Sequence, residues 1–229
     1  MNKVVTSAAA AVADIPDGAR IMVGGFGVCG VPEDLIRALH ARGSRQLTII
    51  SNNAGVGGAG VGRLLAAKQI ARLIGTYVGD NEEFERQMRS GGLEAELIPQ
   101  GTFAERMRAA GAGLGGFFTP TGAGTIVAEG KERRTIDGRE YLLELPLHAD
   151  FALVKAFRGD RLGNLVYRKT ARNFNPVMAM AAAITIAEVE ELVEPGGIDP
   201  ETVVTPGIFV TRVVQGTGYE KAIERRTTR

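Results

Sequence analysis

The densest chemical signal in the chain is Gly24-Gly25-Phe26-Gly27-Val28-Cys29-Gly30. It lies between the apolar run Arg20-Ile21-Met22-Val23 and the segment Pro32-Glu33-Asp34. Glycines let a backbone take positive φ and let a ligand approach with no Cβ in the way. Backbone N–H groups gathered at a helix start hold anions, and the same kind of donor stabilises the oxyanion of an acyl transfer. Taken alone, the cluster is as compatible with a plain strand-to-helix turn, because short glycine motifs also match by chance. Two nucleotide-binding patterns fit it poorly. A P-loop closes on Gly-Lys-Ser/Thr, whereas this loop closes on Gly30-Val31-Pro32. A dinucleotide-binding fold needs an acid after its second strand, and Ser51-Asn52-Asn53 stands there instead.

The remaining candidates are amides. Asn52 and Asn53 follow the apolar run Leu47-Thr48-Ile49-Ile50, and Gln100 follows Pro99 at the end of the stretch from Leu93 to Ile98. An open α/β sheet places ligands at the carboxyl ends of its strands, and an amide there can donate and accept toward a pantetheine amide or a carboxylate. The same residue types also serve turns. The glycine-rich stretch from Gly111 to Gly116, continuing through Phe117 to Gly122, reads either as a mobile flap or as a long irregular connection. Glu33, Glu82 and Glu129 fall at helix starts or in loops, and nothing marks any of them as an activated nucleophile. His40, His148 and Cys29 offer no metal-ligand cluster, and no G-x-S-x-G elbow is present. A thiol nucleophile needs a neighbouring base or cation; the loop supplies neither, so Cys29 is expected to pack.

The elements that position these residues alternate. Strands are expected at 20–23, 47–50, 93–98 and, more weakly, 70–74. A helix opens at Pro32 and ends at Gly43; another is capped by Asp80 and stopped by Gly91-Gly92. A third begins at Thr102-Phe103-Ala104-Glu105 with capping-box spacing. Beyond residue 130 the pattern changes. Asp137-Gly138 suits a hairpin turn between 134 and 141. Strands at 151–154 and 164–167 flank a polar turn, 176–183 reads as a helix, and Val203-Val204 and Ile208-Phe209-Val210 read as short late strands. This order implies an α/β fold: an open, mostly parallel sheet with helices on both faces, plus antiparallel additions. No linker long enough to divide the chain stands out, so residues 1–229 read as one domain.

Lys plus Arg total 27 against 26 for Asp plus Glu, and a net charge of +1 makes no field that would gather nucleic acid or an anionic membrane. The basic end, Glu224 to Arg229, reads as a solvated terminus. No run of about 18 apolar residues is present for a membrane span. The alanine-rich segment from Ala8 to Ala13 is too short and too weakly apolar for a secretory core. A single cysteine permits no intrachain disulfide, which suits a cytoplasmic protein.

The stretch from Asp17 to Pro32 resembles the first signature of the family I coenzyme A transferases over its full length. The likeness continues through Ser51-Asn52-Asn53-Ala54-Gly55, Pro99-Gln100-Gly101-Thr102, Ala104-Glu105-Arg106, Thr119-Pro120-Thr121-Gly122, Asp150-Phe151-Ala152-Leu153-Val154-Lys155, Arg168-Lys169 and Ala171-Arg172-Asn173-Phe174-Asn175. That series, in order, covers nearly the whole chain. The resemblance implies that Gly24, Gly25, Phe26, Gly27, Val28, Cys29 and Gly30 bind coenzyme A or its thioester. It also implies that Asn52, Asn53 and Gln100 face the substrate. Coenzyme A enters as a thioester substrate, with no tightly bound cofactor and no metal.

In that family the nucleophile is a glutamate of the second of two subunits, within a Ser-Glu-Asn-Gly motif. This chain has no such motif. The resemblance therefore implies a first subunit with no catalytic residue of its own. It would be active only with the second CoA-transferase subunit, in a heterodimer or its doubled heterotetramer. The segment from Tyr77 to Gln87 is similar to the branch that moves coenzyme A from succinyl-CoA to acetoacetate, a 3-oxo acid, by a ping-pong mechanism. The 3-oxoadipate and acetate branches are the alternatives within the family. A non-catalytic, CoA-binding regulatory subunit is the alternative of another class.

Overall fold

The computed structural model describes residues 2–218 other than Gly57, Gly79 and Asp80. The elements, in chain order, are α1 (Ala8–Ala11), β1 (Arg20–Val23), α2 (Glu33–Arg42), β2 (Leu47–Ser51), α3 (Val61–Ala66), β3 (Ile70–Gly75), α4 (Glu82–Arg89), β4 (Glu94–Leu97) and α5 (Gln100–Gly111). They continue with β5 (Phe117–Thr119), β6 (Arg133–Ile136), β7 (Arg139–Glu144), β8 (Ala149–Asp160), β9 (Leu165–Val166), α6 (Asn175–Ala181), β10 (Ala182–Val193) and β11 (Arg212–Gln215).

The main sheet runs β11-β10-β8-β1-β2-β3-β4, all parallel, with β9 paired antiparallel to the end of β8. The first four strands step outward from β1. The chain then returns to the other side of β1 with β8, so strand order reverses at β1. Parallel strands are buried on both faces, and successive side chains serve opposite faces. Ile21 and Val23 join Leu35, Ile36 and Leu39 of α2 on one face; Met22 joins Phe103 and Met107 of α5 and Met178 of α6 on the other. A second, three-stranded antiparallel sheet, β5-β7-β6, carries the expected hairpin. Asp137 and Gly138 both take positive φ at its turn, as a type I′ turn requires.

Several local expectations are corrected. The helix expected to begin at Thr102 begins at Gln100, behind Pro99, and makes no capping box; the Thr102 hydroxyl is buried inside it without a partner among the described residues. The fixed φ of Pro99 pre-shapes this helix start, and the shift places Gln100 in the first turn. The expected cap Asp80 lies outside the described residues. Asn81 caps α4, accepting the Phe84 N–H at 3.0 Å. The basic terminal run also lies outside them. Phe117–Thr119, expected in a loop, is a strand. The two expected late strands give way to other structure: Pro200–Thr202 and Gly207–Phe209 are single 3₁₀ turns, and the last described strand is Arg212–Gln215. Val204 and Thr205 instead exchange backbone hydrogen bonds with Leu165.

The largest unexpected element is β10, twelve residues long and paired on both sides, with β8 and with the edge strand β11. Its Ala-Glu-Val-Glu-Glu-Leu stretch is made largely of helix formers, and pairing on both sides overrides that local preference. It also buries a carboxyl group. Glu188 is 0% exposed; one oxygen accepts the Leu35 N–H at 2.9 Å in the first turn of α2, and the other has no partner among the described residues. Burial pushes this carboxyl up to about 7, against the lowering effects of the Leu35 N–H, Lys155 and Arg37. An unfolded glutamate titrates near 4.5, so the folded chain holds the extra proton between these values. The stability it contributes is complete below the lower value and lost as pH rises through the upper one. We expect Glu188→Gln, which keeps the acceptor for Leu35, to remove that loss, on the order of 3 kcal/mol. Melting temperatures from pH 5 to 8 should fall more steeply for the wild type than for the variant; parallel curves would refute the assignment.

Candidate active site

Four adjacent parallel strands, β1 to β4, end on one rim of the sheet, and the segments leaving them build a cleft of about 570 Å³. Its lining comes from all four exits: Phe26 and Gly27 after β1, Asn52, Asn53, Gly55 and Val56 after β2, Thr76, Tyr77 and Val78 after β3, and Gln100 after β4. The reversal of strand order at β1 makes this the position where open α/β sheets bind ligands.

Asn52 forms the polar floor and is 3% exposed. Its backbone carbonyl accepts from the Thr76 and Tyr77 N–H groups, both at 3.1 Å. Its side-chain oxygen accepts from Gln100 Nε2 at 3.1 Å and lies 2.9 Å from the Thr76 hydroxyl. With the oxygen so occupied, the amide N–H groups of Asn52 have no partner among the described residues. Asn53 does turn work: its Oδ1 accepts the Gly55 N–H at 3.0 Å, while its Nδ2 lies 3.4 Å from the Gly27 carbonyl. The loop beyond is tied at two further points. Glu33 accepts the Gly60 N–H at 2.9 Å, and Asn81 donates to the Ala54 and Gly55 carbonyls.

The glycine segment leaves β1 with the Gly24 N–H donating to the Leu153 carbonyl of β8. It then closes into a tight turn in which Phe26 and Cys29 exchange backbone hydrogen bonds of 3.0 and 2.9 Å. The N–H groups of Gly27 and Val28 within the turn have no partner among the described residues. Phe26, half exposed, and Gly27 reach the cleft, whereas Gly24, Gly25, Val28, Cys29 and Gly30 support the turn without lining it. Cys29 directs its sulfur toward Thr170, 3.5 Å from that hydroxyl, on the side of the turn held by residues 168–175.

The lining is uncharged. Among the described residues, Tyr77 is the one ionisable side chain in it, and no carboxylate, imidazole, thiol or amine joins it. Glu33 is engaged with Gly60, and Glu82 and Glu129 are likewise outside the lining. What the cleft offers is therefore binding and hydrogen-bond donation to a developing negative charge. A second cleft of about 420 Å³ lies between β4 and the small sheet, but its charged groups pair with one another: Glu144 with Lys131, and Arg106 with Glu96. Of the residues singled out from sequence, Phe26, Gly27, Asn52, Asn53 and Gln100 come together in the first cleft. Gly55, Val56, Thr76, Tyr77 and Val78 were not expected there. The carboxyl end of the strand at 70–75 was the available signal, by the same rule that selected Asn52.

A sequence profile described as coenzyme A transferase matches residues 5–216. The first subunit of a succinyl-CoA:3-ketoacid coenzyme A transferase from Xanthomonas campestris is 60% identical over 215 residues, spanning 94% of this chain and 89% of that protein. The first subunit of a 3-oxoadipate CoA-transferase from Pseudomonas putida is 56% identical over 220 residues, spanning 95% of each. Among solved structures, an Escherichia coli acyl-CoA transferase in a thioester complex with CoA superposes with a TM-score of 0.82 at 24% identity. That match covers 94% of this chain and 47% of the other, a likeness of fold.

Proposed function

Because the chain belongs to the coenzyme A transferase family, we propose that it is the first subunit of a cytoplasmic 3-oxoacid CoA-transferase carrying CoA from succinyl-CoA to acetoacetate. The observation that supports this most is the cleft's lining: amide and hydroxyl groups from four strand ends beside a glycine turn, with no carboxylate, imidazole, thiol or amine among the described residues. Such a site binds a thioester and stabilises its oxyanion while another chain supplies the attacking carboxylate. In this reading a glutamate of the second subunit makes the attack on the succinyl carbonyl, CoA thiolate leaves, and a mixed anhydride forms. The thiolate attacks the glutamyl carbonyl, succinate departs, and a glutamyl-CoA thioester remains. Acetoacetate reverses both steps and leaves as acetoacetyl-CoA, the ping-pong course of covalent catalysis.

The turn from Gly24 to Gly30 receives the thioester, with Phe26 and Gly27 against it and the Gly27 N–H, which has no partner among the described residues, as an oxyanion donor. Loss of one such donor typically costs about 3 kcal/mol of transition-state stabilisation. Asn52 and Gln100 orient the acid's carboxylate, and Asn53 holds the turn that follows Asn52. The substrate assignment rests on relatives that divide between two acids. With succinyl-CoA as donor, we expect kcat/KM for acetoacetate to exceed that for 3-oxoadipate or acetate by at least about tenfold. A preference for 3-oxoadipate would move the chain to the branch of the Pseudomonas relative. CoA binding without turnover of any of the three acids, with the second subunit present, would favour a regulatory role.

A further inference from the structure

The glycine turn is gripped from behind by a segment some 145 positions away in sequence, and the grip converges on one amide. Asn175, at the start of α6, is 0% exposed and lines no part of the cleft. Its Oδ1 accepts the Lys155 N–H of β8 at 2.9 Å. Its Nδ2 donates to the Gly30 carbonyl at 3.0 Å and the Ala171 carbonyl at 2.9 Å. Next to it, Asn173 Nδ2 donates to the Cys29 carbonyl at 2.9 Å. The backbone bends to make this reach, with Asn173 at φ +23° and Lys169 at φ +51°. The other side of the contact is equally specific. A Cβ at Gly24 would lie 1.8 Å from Asn175 Oδ1, and one at Gly30 would lie 2.4 Å from the Ala171 carbonyl. Gly24 is therefore bare because Asn175 occupies that space.

We propose that Asn175, seconded by Asn173, is a positioning residue for CoA transfer, clasping the Gly24–Gly30 turn to β8 so that its donors meet the reacting thioester. The proposal rests on the reading that this turn receives the thioester. A turn left to itself would hold its donors in many orientations, and a displacement near 1 Å at a reacting centre costs on the order of 100-fold in rate. Asn175→Asp keeps the acceptor for Lys155 but replaces the two N–H donors by an oxygen facing carbonyl oxygens. Asn173→Gly suits the positive φ and removes the tether to Cys29, together with the side chain's local bonds to the Thr170 carbonyl and the Phe174 N–H, while leaving Asn175 in place. Both variants are to be assembled with the second subunit. Melting temperature, kcat, KM for succinyl-CoA and the single-turnover rate of glutamyl-CoA formation are then measured.

The expected result is a fall in kcat and single-turnover rate of on the order of 100-fold for Asn175→Asp. About tenfold is expected for Asn173→Gly, with KM for succinyl-CoA within about threefold and assembly intact. A residue needed only for folding would lower melting temperature and the active fraction while leaving the rate per active site unchanged, and that outcome overturns the proposal. If Asn175→Asp does not assemble, Asn173→Gly decides, and a wild-type single-turnover rate there refutes the clasp. Gly25→Val separates the two layers of inference. If it is impaired while both asparagine variants are normal, the clasp alone fails; if Gly25→Val is normal, the reading of the turn fails and the clasp with it.

Discussion

Gly25→Val, assembled with the second subunit, should lose on the order of 100-fold or more in kcat/KM while the two chains still associate. Gly25 sits at φ +125°, outside the range of a β-branched residue. A Cβ there would come within 2.6 Å of Val31 Cγ2 and 3.5 Å of the Cys29 carbonyl. The Cys29 carbonyl belongs to the turn, while Val31, the residue after it, is buried in the core and yields less easily, so the strain is relieved by moving the turn, and the Gly27 donor moves with it. The core beneath is anchored elsewhere, through the Gly24 N–H on Leu153 and the packing of Met22 and Val23. Gly27→Ala provides the contrast. Its backbone, at φ +59°, also favours glycine, yet a Cβ there meets nothing within 4 Å. Strain without collision should leave the turn nearly in place, and a loss of about tenfold or less is expected. Wild-type kcat/KM in Gly25→Val would remove the turn from the catalytic machinery.

The parallel half of the fold was legible because its signals are local. Apolar runs ending in Gly24, in Ser51 and before Pro99 each mark a strand whose exit reaches the cleft, and the helices between them carry their own stops, such as Gly43. Asn52 was legible for the same reason. Thr76 and Tyr77 were not, because the strand at 70–75, Ile-Ala-Arg-Leu-Ile-Gly, breaks its apolar run with Ala71 and Arg72. The clasp was beyond local reading. Asn175 and Gly24 are linked only through the sheet that brings β8 beside β1, and no spacing in the chain encodes that contact. Glu188 was hidden by its composition: glutamate within a run of helix formers reads as exposed helix, and only two-sided pairing makes it a buried strand residue.

The largest effect should be the simplest to see. This chain alone should turn over no substrate, and addition of the second subunit should raise the rate on the order of 10³-fold or more. The reason is chemical. Moving CoA between two acids without hydrolysis, by a ping-pong course, requires a carboxylate that carries the acyl group and then CoA. The cleft has hydrogen-bond donors and, among the described residues, no carboxylate. The three glutamates closest to the sequence signals do not fill the gap: Glu33 is committed to the Gly60 N–H, and Glu82 and Glu129 stand away from the lining. The open rim fits an attacking loop from a partner, since Phe26, Val56 and Tyr77 lie exposed around it. Incubating the assembled enzyme with acyl-CoA and then borohydride should reduce the thioester on a glutamate of the second subunit, leaving every glutamate of this chain unmodified by mass spectrometry. Full turnover by this chain alone, with mass spectrometry excluding a co-purified second subunit, would place the nucleophile here. The cleft would then have to reorganise around Glu33, the carboxylate that already reaches its loop, and Glu33→Gln would abolish the rate.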